Sequence, residues 1–262
     1  MRSAVIHSKH SVEHSPPVVF SWASFLPCIF RRQQWLNSLP LFICYIIIFI
    51  SFHTLIILLF SLLCNFYFSN KPYELYKKIL EIPGEVIELG VFKGASLIQF
   101  AIFRELLESE CSRNIIGFDV FGEFPNGKAF ASDEEFVKEW KKDFDNDFLQ
   151  QADLYKSFSC RNIGNIELVK GDICQTLPEY IERHPETRIA LLHIDTDIYE
   201  PTKIGLELLF DRVVKGGVII FDDYIGVEGG TVAIDNYLKN QSNPYTIKKL
   251  RGCHRKPSYI IK

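Results

Sequence analysis

The stretch from Leu191 to Tyr224 reads LLHIDTDIYEPTKIGLELLFDRVVKGGVIIFDDY. Two apolar runs, Ile189 to Ile194 and Val218 to Phe221, have the length and abrupt ends of short, fully buried strands. The first stops in Asp195 and Asp197, the second in Asp222 and Asp223. Between them Pro201 stands where a helix would begin, and Lys203 to Phe210 continues it. Strand, helix, strand at this spacing predicts a parallel sheet of the α/β class, in which ligands bind in the crevice outside the carboxyl ends of the strands. Both acid pairs should therefore face one crevice. Carboxylates crowded together repel unless a positive charge lies among them, and a hard divalent cation with oxygen ligands meets that need. The alternative for any one of them is a helix cap or turn acid.

Upstream, Glu85 to Leu89 reads as a strand, followed by the turn Gly90-Val91-Phe92-Lys93-Gly94 and a helix from Ala95 to Leu107 that is apolar nearly all round. In this run, ELGVFKGAS, the first glycine allows a sharp turn, the second a close approach, and the helix N-terminus favours an anionic group. Only two glycines are present, so it is not the G-x-G-x-x-G dinucleotide fingerprint, and a plain tight turn is the alternative. The next strand, Asn114 to Phe118, ends in Asp119 within GFDVFGEFP. An acid at that place can accept from both hydroxyls of a ribose, or can serve the turn that Gly122 and Pro125 announce. Ser132 to Phe148 reads as a surface helix or lid, with Ser132 and Glu135 spaced as a capping box. A strand from Ile166 to Val169 leads through Gly171 to Asp172, which either meets an adenine edge or starts the helix expected over Thr176 to Glu182. His193, inside the buried strand, is expected to be a hydrogen-bonded core histidine. After the acids, Gly229-Gly230 hinges into a helix from Thr231 to Lys239, and Tyr245 to Lys249 and Ser258 to Ile261 close the chain as strands.

The front of the chain differs in kind. Residues 1–40 show no clear period, and little fixed structure is expected there. Leu41 to Cys64 is an uncharged apolar run of 24 residues, long enough to span a bilayer and too far from Met1 for a usual cleavable signal. A transmembrane anchor is the favoured reading, over a buried or oligomer-forming helix or a start codon placed too far upstream. Composition changes at Asn70, so residues 71–262 form the expected main domain, opened by a helical segment from Lys71 to Glu81. The formal charge of −3 conceals an asymmetry: before Lys71 the sole acid is Glu13, against Arg2, Lys9, Arg31 and Arg32, so the remainder is clearly acidic. That balance, with no basic run, argues against nucleic-acid binding. Seven cysteines without a CxxC pair point to reduced thiols in a cytoplasmic setting.

Taken together, ELGVFKGAS, GFDVFGEFP, GDICQTLPEY, HIDTDIYEPT and GGVIIFDDY resemble the macrocin O-methyltransferase family, from about Pro72 to the C-terminus. The resemblance implies the class I methyltransferase (Rossmann-like) fold: a seven-stranded sheet with helices on both faces and an antiparallel last strand, here preceded by the hydrophobic helix. It implies S-adenosylmethionine as methyl donor, with Glu88, Gly90, Gly94 and Ser96 at its methionine end, Asp119 at the ribose and Asp172 near the adenine. It further implies Mg²⁺ held by Asp195, Asp222 and Asp223, Asp197 as the base, and a sugar or glycoside hydroxyl as acceptor. Two other classes stay open on the sequence: a nucleotide-dependent oxidoreductase on a related sheet, and an inactive, membrane-tethered binding protein.

Overall fold

Among the described residues, short strands, none longer than nine residues, alternate with helices and pair edge to edge as one sheet. The computed structural model describes residues 72–125, 130–144, 150–250 and 258–262. Strands β1 (Glu85–Leu89), β2 (Ile115–Asp119), β3 (Ile166–Lys170), β4 (Ile189–Ile194) and β5 (Val213–Phe221) run parallel, and β7 (Ser258–Ile261) joins β5 antiparallel with the two-residue β6 (Lys248–Lys249) outside it. The sheet order β3-β2-β1-β4-β5-β7-β6 reverses direction between β1 and β4. At such a switch point the loops on either side splay apart and leave a crevice.

Strand residues alternate between two apolar layers. Ile87, Leu89, Ile116, Phe118, Leu192, Ile194, Ile219 and Phe221 face helices α4 (Ile173–Arg183), α5 (Tyr199–Leu209) and α6 (Glu228–Lys239). Val86, Ile115, Leu191, Val218 and Ile220 face α1 (Ala95–Leu107), α3 (Gln151–Cys160) and the helical segment that starts at residue 72. Burial on both faces explains why these strands read as unbroken apolar runs rather than alternating ones. The remaining helix, α2 (Ala131–Asp143), is mostly polar and packs near α6.

Several expectations are corrected. The polar helix begins at Ala131, its N-cap is Phe130 with no side-chain cap bond, and Ser132 lies inside it, so no capping box forms. A helix not foreseen, α3, follows it and buries Leu154 and Phe158. α6 starts at Glu228, so Gly229 and Gly230 lie within it and form no hinge. α1 is not apolar-buried all round, because Leu106 is 70% exposed and the buried face carries Arg104. The predicted apolar span Leu41 to Cys64 and the segment 1–40 lie outside the described residues. Among the described residues no helix is long and apolar enough to cross a membrane.

At the amino ends of the strands, Arg113 fastens the fold. Its guanidinium donates to the carbonyls of Ile79, Ile82 and Gly84 and pairs with Glu108 at 2.7 Å, both side chains nearly buried. Tyr76 also donates to Glu108, at 2.7 Å. Arg113→Met should lower the unfolding free energy by about 3–5 kcal/mol, because Glu108 and three carbonyls lose their donors. Urea unfolding measures it; a loss below about 1 kcal/mol, the scale of an exposed pair, would mean the cluster is solvated.

Candidate functional site

The carboxyl edge of the sheet is assembled by backbone contacts that glycine permits. Gly90, at φ 85°, lies so close to β4 that a Cβ there would stand 1.8 Å from the Asp195 carbonyl oxygen. The ladder continues past the strand ends: Gly90 N–H donates to Phe118 O, Asp195 N–H to Leu89 O and Asp222 N–H to Ile194 O. The glycine turn and both acid pairs are thus held on one edge. Gly94, at φ 74°, is the N-cap of α1, and Ser96 sits half-buried in that helix's first turn, whose leading N–H groups have no intrahelical partner.

Asp119 ties the turn down. Its Oδ2 accepts from the N–H groups of Val91 and Phe92, each at 2.8 Å, and its Oδ1 accepts from Phe121 at 2.7 Å. A carboxylate offers about four acceptor positions. With three used, Asp119 has room for one further hydroxyl rather than the two expected from sequence. Asp172 caps α4 by accepting from Cys174 N–H at 2.9 Å, which is the helix-start alternative weighed for it, while one oxygen is left for another partner. Burial pushes the Cys174 thiol up to about 11, with the Asp172 charge adding to it, so it stays protonated and unreactive at neutral pH.

Glu88 and His193 pair at the buried centre, with Oε1 2.8 Å from Nδ1. His193 is therefore the hydrogen-bonded core histidine expected, beneath α1 with its ring edge-on to Phe100 at 5.6 Å. Burial alone would lower its pKa, but the hydrogen bond and charge of Glu88, with Asp195 and Asp222, outweigh it and carry the imidazole up to about 9. The second Glu88 oxygen is buried and without a partner in the described residues.

The acids converge, though not in the trio expected. Asp195, Asp197 and Asp223 each present an oxygen within 4.8 Å of the others; Asp222 is outside that group. The reason is local. Asp197 adopts φ 59° and donates its N–H to Asp223 Oδ2 at 2.9 Å, which folds the second acid of the DTD run back onto Asp223. Desolvation, with the charges of the neighbouring acids, raises Asp195 and Asp197 well above the ordinary carboxyl value and raises Asp223 as well. Asp222 contributes to all three shifts from its neighbouring position. Three oxygen donors so close suit a divalent cation, and the strain of leaving them charged and unpaired is what such an ion relieves.

A sequence profile described as Macrocin-O-methyltransferase (TylF) matches residues 75–251. Among curated proteins, an 8-demethyl-8-(2,3-dimethoxy-alpha-L-rhamnosyl)-tetracenomycin-C 4'-O-methyltransferase of Streptomyces olivaceus is 27% identical over 55% of this chain and 54% of its own length. A demethyldecarbamoylnovobiocin O-methyltransferase of Streptomyces niveus is 26% identical over 60% of this chain and 58% of its own. The chain thus spans a little over half the length of these relatives. Of solved structures, the calicheamicin methyltransferase CalS11 superposes with TM-score 0.55 at 27% identity, covering 74% of this chain and 77% of that one. The O-methyltransferase NovP gives TM-score 0.64 at 20% identity over 74% and 78%, which shows the shared fold.

The site predicts its own pH dependence without added cation. The raised carboxyls bind protons more tightly in the folded chain than in the unfolded one, so their effect on stability improves as pH falls. His193 stabilises fully below its ordinary value of 6.5, and that contribution is lost as pH rises through about 9. Both directions agree, so the thermal midpoint measured in EDTA should fall between pH 6.5 and pH 9.5. The His193 share, on the order of 3 kcal/mol, should shrink in Glu88→Gln, which leaves only the charges of Asp195 and Asp222 to oppose desolvation. A midpoint flat across that window would overturn the Glu88–His193 assignment.

Proposed function

Because the chain belongs to the macrocin-O-methyltransferase family, we propose that it transfers a methyl group from S-adenosylmethionine to a hydroxyl of a sugar or glycosylated small molecule, with Mg²⁺ at the acid cluster. The observation that carries this is the cluster itself: Asp195, Asp197 and Asp223 within 4.8 Å of one another, on the same sheet edge as the Gly90–Gly94 turn. The names of the tetracenomycin relative and of a second CalS11 structure, a TDP-rhamnose 3'-O-methyltransferase, specify rhamnose acceptors, which supports a sugar hydroxyl here.

The donor set fits the ion. Asp195 and Asp223, two of the three clustered acids, would hold it, with Asp222, next in sequence to Asp223, as the third ligand and Asp197 beside them. When bound, S-adenosylmethionine would supply an electrophilic methyl on a sulfonium, and Mg²⁺ a Lewis acid that lowers the pKa of an adjacent sugar hydroxyl. The chain's own residues do the rest. Asp197, with an oxygen within 4.8 Å of those of Asp195 and Asp223, would stand beside the bound hydroxyl and take its proton. The Gly90–Gly94 turn and the opening of α1 would take the methionine end, with Glu88 beneath them, its spare oxygen buried and without a partner among the described residues. Asp119, with its one open acceptor position, would take a ribose hydroxyl, and Asp172, at the head of α4, the adenine side. The oxidoreductase alternative has no support in the family match, and its G-x-G-x-x-G is missing.

Incubation with methyl-labelled S-adenosylmethionine and a panel of rhamnosylated acceptors should give Mg²⁺-dependent transfer, abolished by EDTA and restored by excess Mg²⁺. Full activity in EDTA rejects the metal. Asp197→Asn should cost about 10²- to 10⁴-fold in kcat, the range for a lost general base. In calorimetry the same variant should keep S-adenosylhomocysteine and Mn²⁺ binding. Loss of Mn²⁺ binding instead would make Asp197 a ligand, with Asp222 left outside.

A further inference from the structure

Asp133 belongs to none of the motifs, yet among the described residues it is the most buried acid outside the site's strands, 1% exposed in the first turn of α2. Its Oδ2 accepts the backbone N–H of Tyr199 at 2.8 Å, the residue that opens α5 two positions after Asp197. Its other oxygen has no hydrogen-bond partner among the described residues and rests on Gly229, the second residue of α6. A Cβ built on Gly229 would stand 1.9 Å from that oxygen and 2.7 Å from the carboxyl carbon. The glycine is therefore the notch that admits the carboxylate.

The two segments that Asp133 touches are those that carry the acids. Asp197 donates its N–H to Asp223, and Gly230 donates to the Asp197 carbonyl at 3.1 Å, so the Asp195–Tyr199 loop and the start of α6 are already laced together. Phe130, just before α2, stacks on the Tyr199 ring at 5.4 Å and 10°. Desolvation makes a buried carboxylate costly, and the like charges of Glu228 and Glu200 add to the cost. An apolar side chain would cover the same surface without it. What a carboxylate adds is one directed bond to the loop that carries Asp195 and Asp197.

We propose that Asp133 is a positioning residue for the acid cluster: by holding the Tyr199 amide, seated in the Gly229 notch, it fixes the loop of Asp195 and Asp197 against α6 and sets the cluster's spacing for a cation. This rests on the metal reading above. The proposal makes Asp133 no ligand and no base; it acts through the backbone.

The test uses the full chain with Mn²⁺ as probe. Asp133→Ala should weaken Mn²⁺ binding about tenfold in calorimetry while S-adenosylhomocysteine affinity stays unchanged, since Asp133 bonds Tyr199 and rests on Gly229, whereas α2 meets the Gly90–Gly94 turn further along, through Trp140 on Phe92. Asp133→Asn, whose carbonyl can still accept from Tyr199, should restore most of it. Gly229→Ala should reproduce the Mn²⁺ loss although alanine is the better helix former by roughly 1 kcal/mol. Hydrogen exchange of residues 195–200 should speed up in Asp133→Ala and Gly229→Ala. Unchanged Mn²⁺ affinity and unchanged exchange in these variants overturn the proposal, as does an Asn variant as weak as Ala. If the unaltered chain binds no Mn²⁺, the metal reading fails by itself, and exchange at 195–200 still decides whether Asp133 holds the loop.

Discussion

The contact between Gly90 and the Asp195 carbonyl is the constraint on which the carboxyl edge of this sheet depends. No side chain fits there, since a Cβ would lie inside the oxygen's radius. Because β1 and β4 are neighbours at the point where the strand order reverses, that approach brings a turn suited to an anionic, nucleoside-like ligand against a loop bearing two carboxylates. The chemistry of the site is the consequence of two backbones touching.

Charge is distributed to match. Desolvation, with the charges of neighbouring acids, pushes up the pKa values of Asp195, Asp197 and Asp223, and the buried His193, held by Glu88, opposes the rise at Asp195 and Asp223. One imidazolium does not neutralise four acids, so the edge retains an excess of negative charge that a divalent cation can relieve. The same logic explains why Glu88 can be wholly buried one strand away: its first oxygen is spent on His193 and its second points to no described partner. Stability and site chemistry draw on the same groups, in keeping with the tendency of perturbed carboxyls to gather where chemistry occurs.

The far end of the sheet is built on another plan. Arg104 and Arg113 are sequestered there, each donating to several backbone carbonyls at the starts of β2 and β3 and around β1. Planar guanidinium groups with five donors suit that task, since they close several loops at once. One end of the strands is thus pinned by cations bonded to carbonyls, and the other is left with carboxylates exposed to a crevice.

Much of this was legible in the chain alone. The strands β1, β4 and β7 and the helix α1 have the limits their residue patterns suggest, because each is a mainly apolar run bounded by turn residues or acids. The placement of Asp119, Asp195, Asp197, Asp222 and Asp223 at strand ends follows from the same runs, and the family follows from their combination. Tertiary structure decided what periodicity does not encode: that Asp197 rather than Asp222 joins Asp195 and Asp223, because a left-handed backbone at Asp197 turns the loop back. It also decided that Asp119 spends three acceptor positions on its own turn. And it gave a role to Asp133, which in sequence is one more acid on a polar helix, because a hydrogen bond spanning 66 residues leaves no trace in local pattern. Local periodicity records which side of an element is buried; which neighbour it is buried against is settled only when the elements meet.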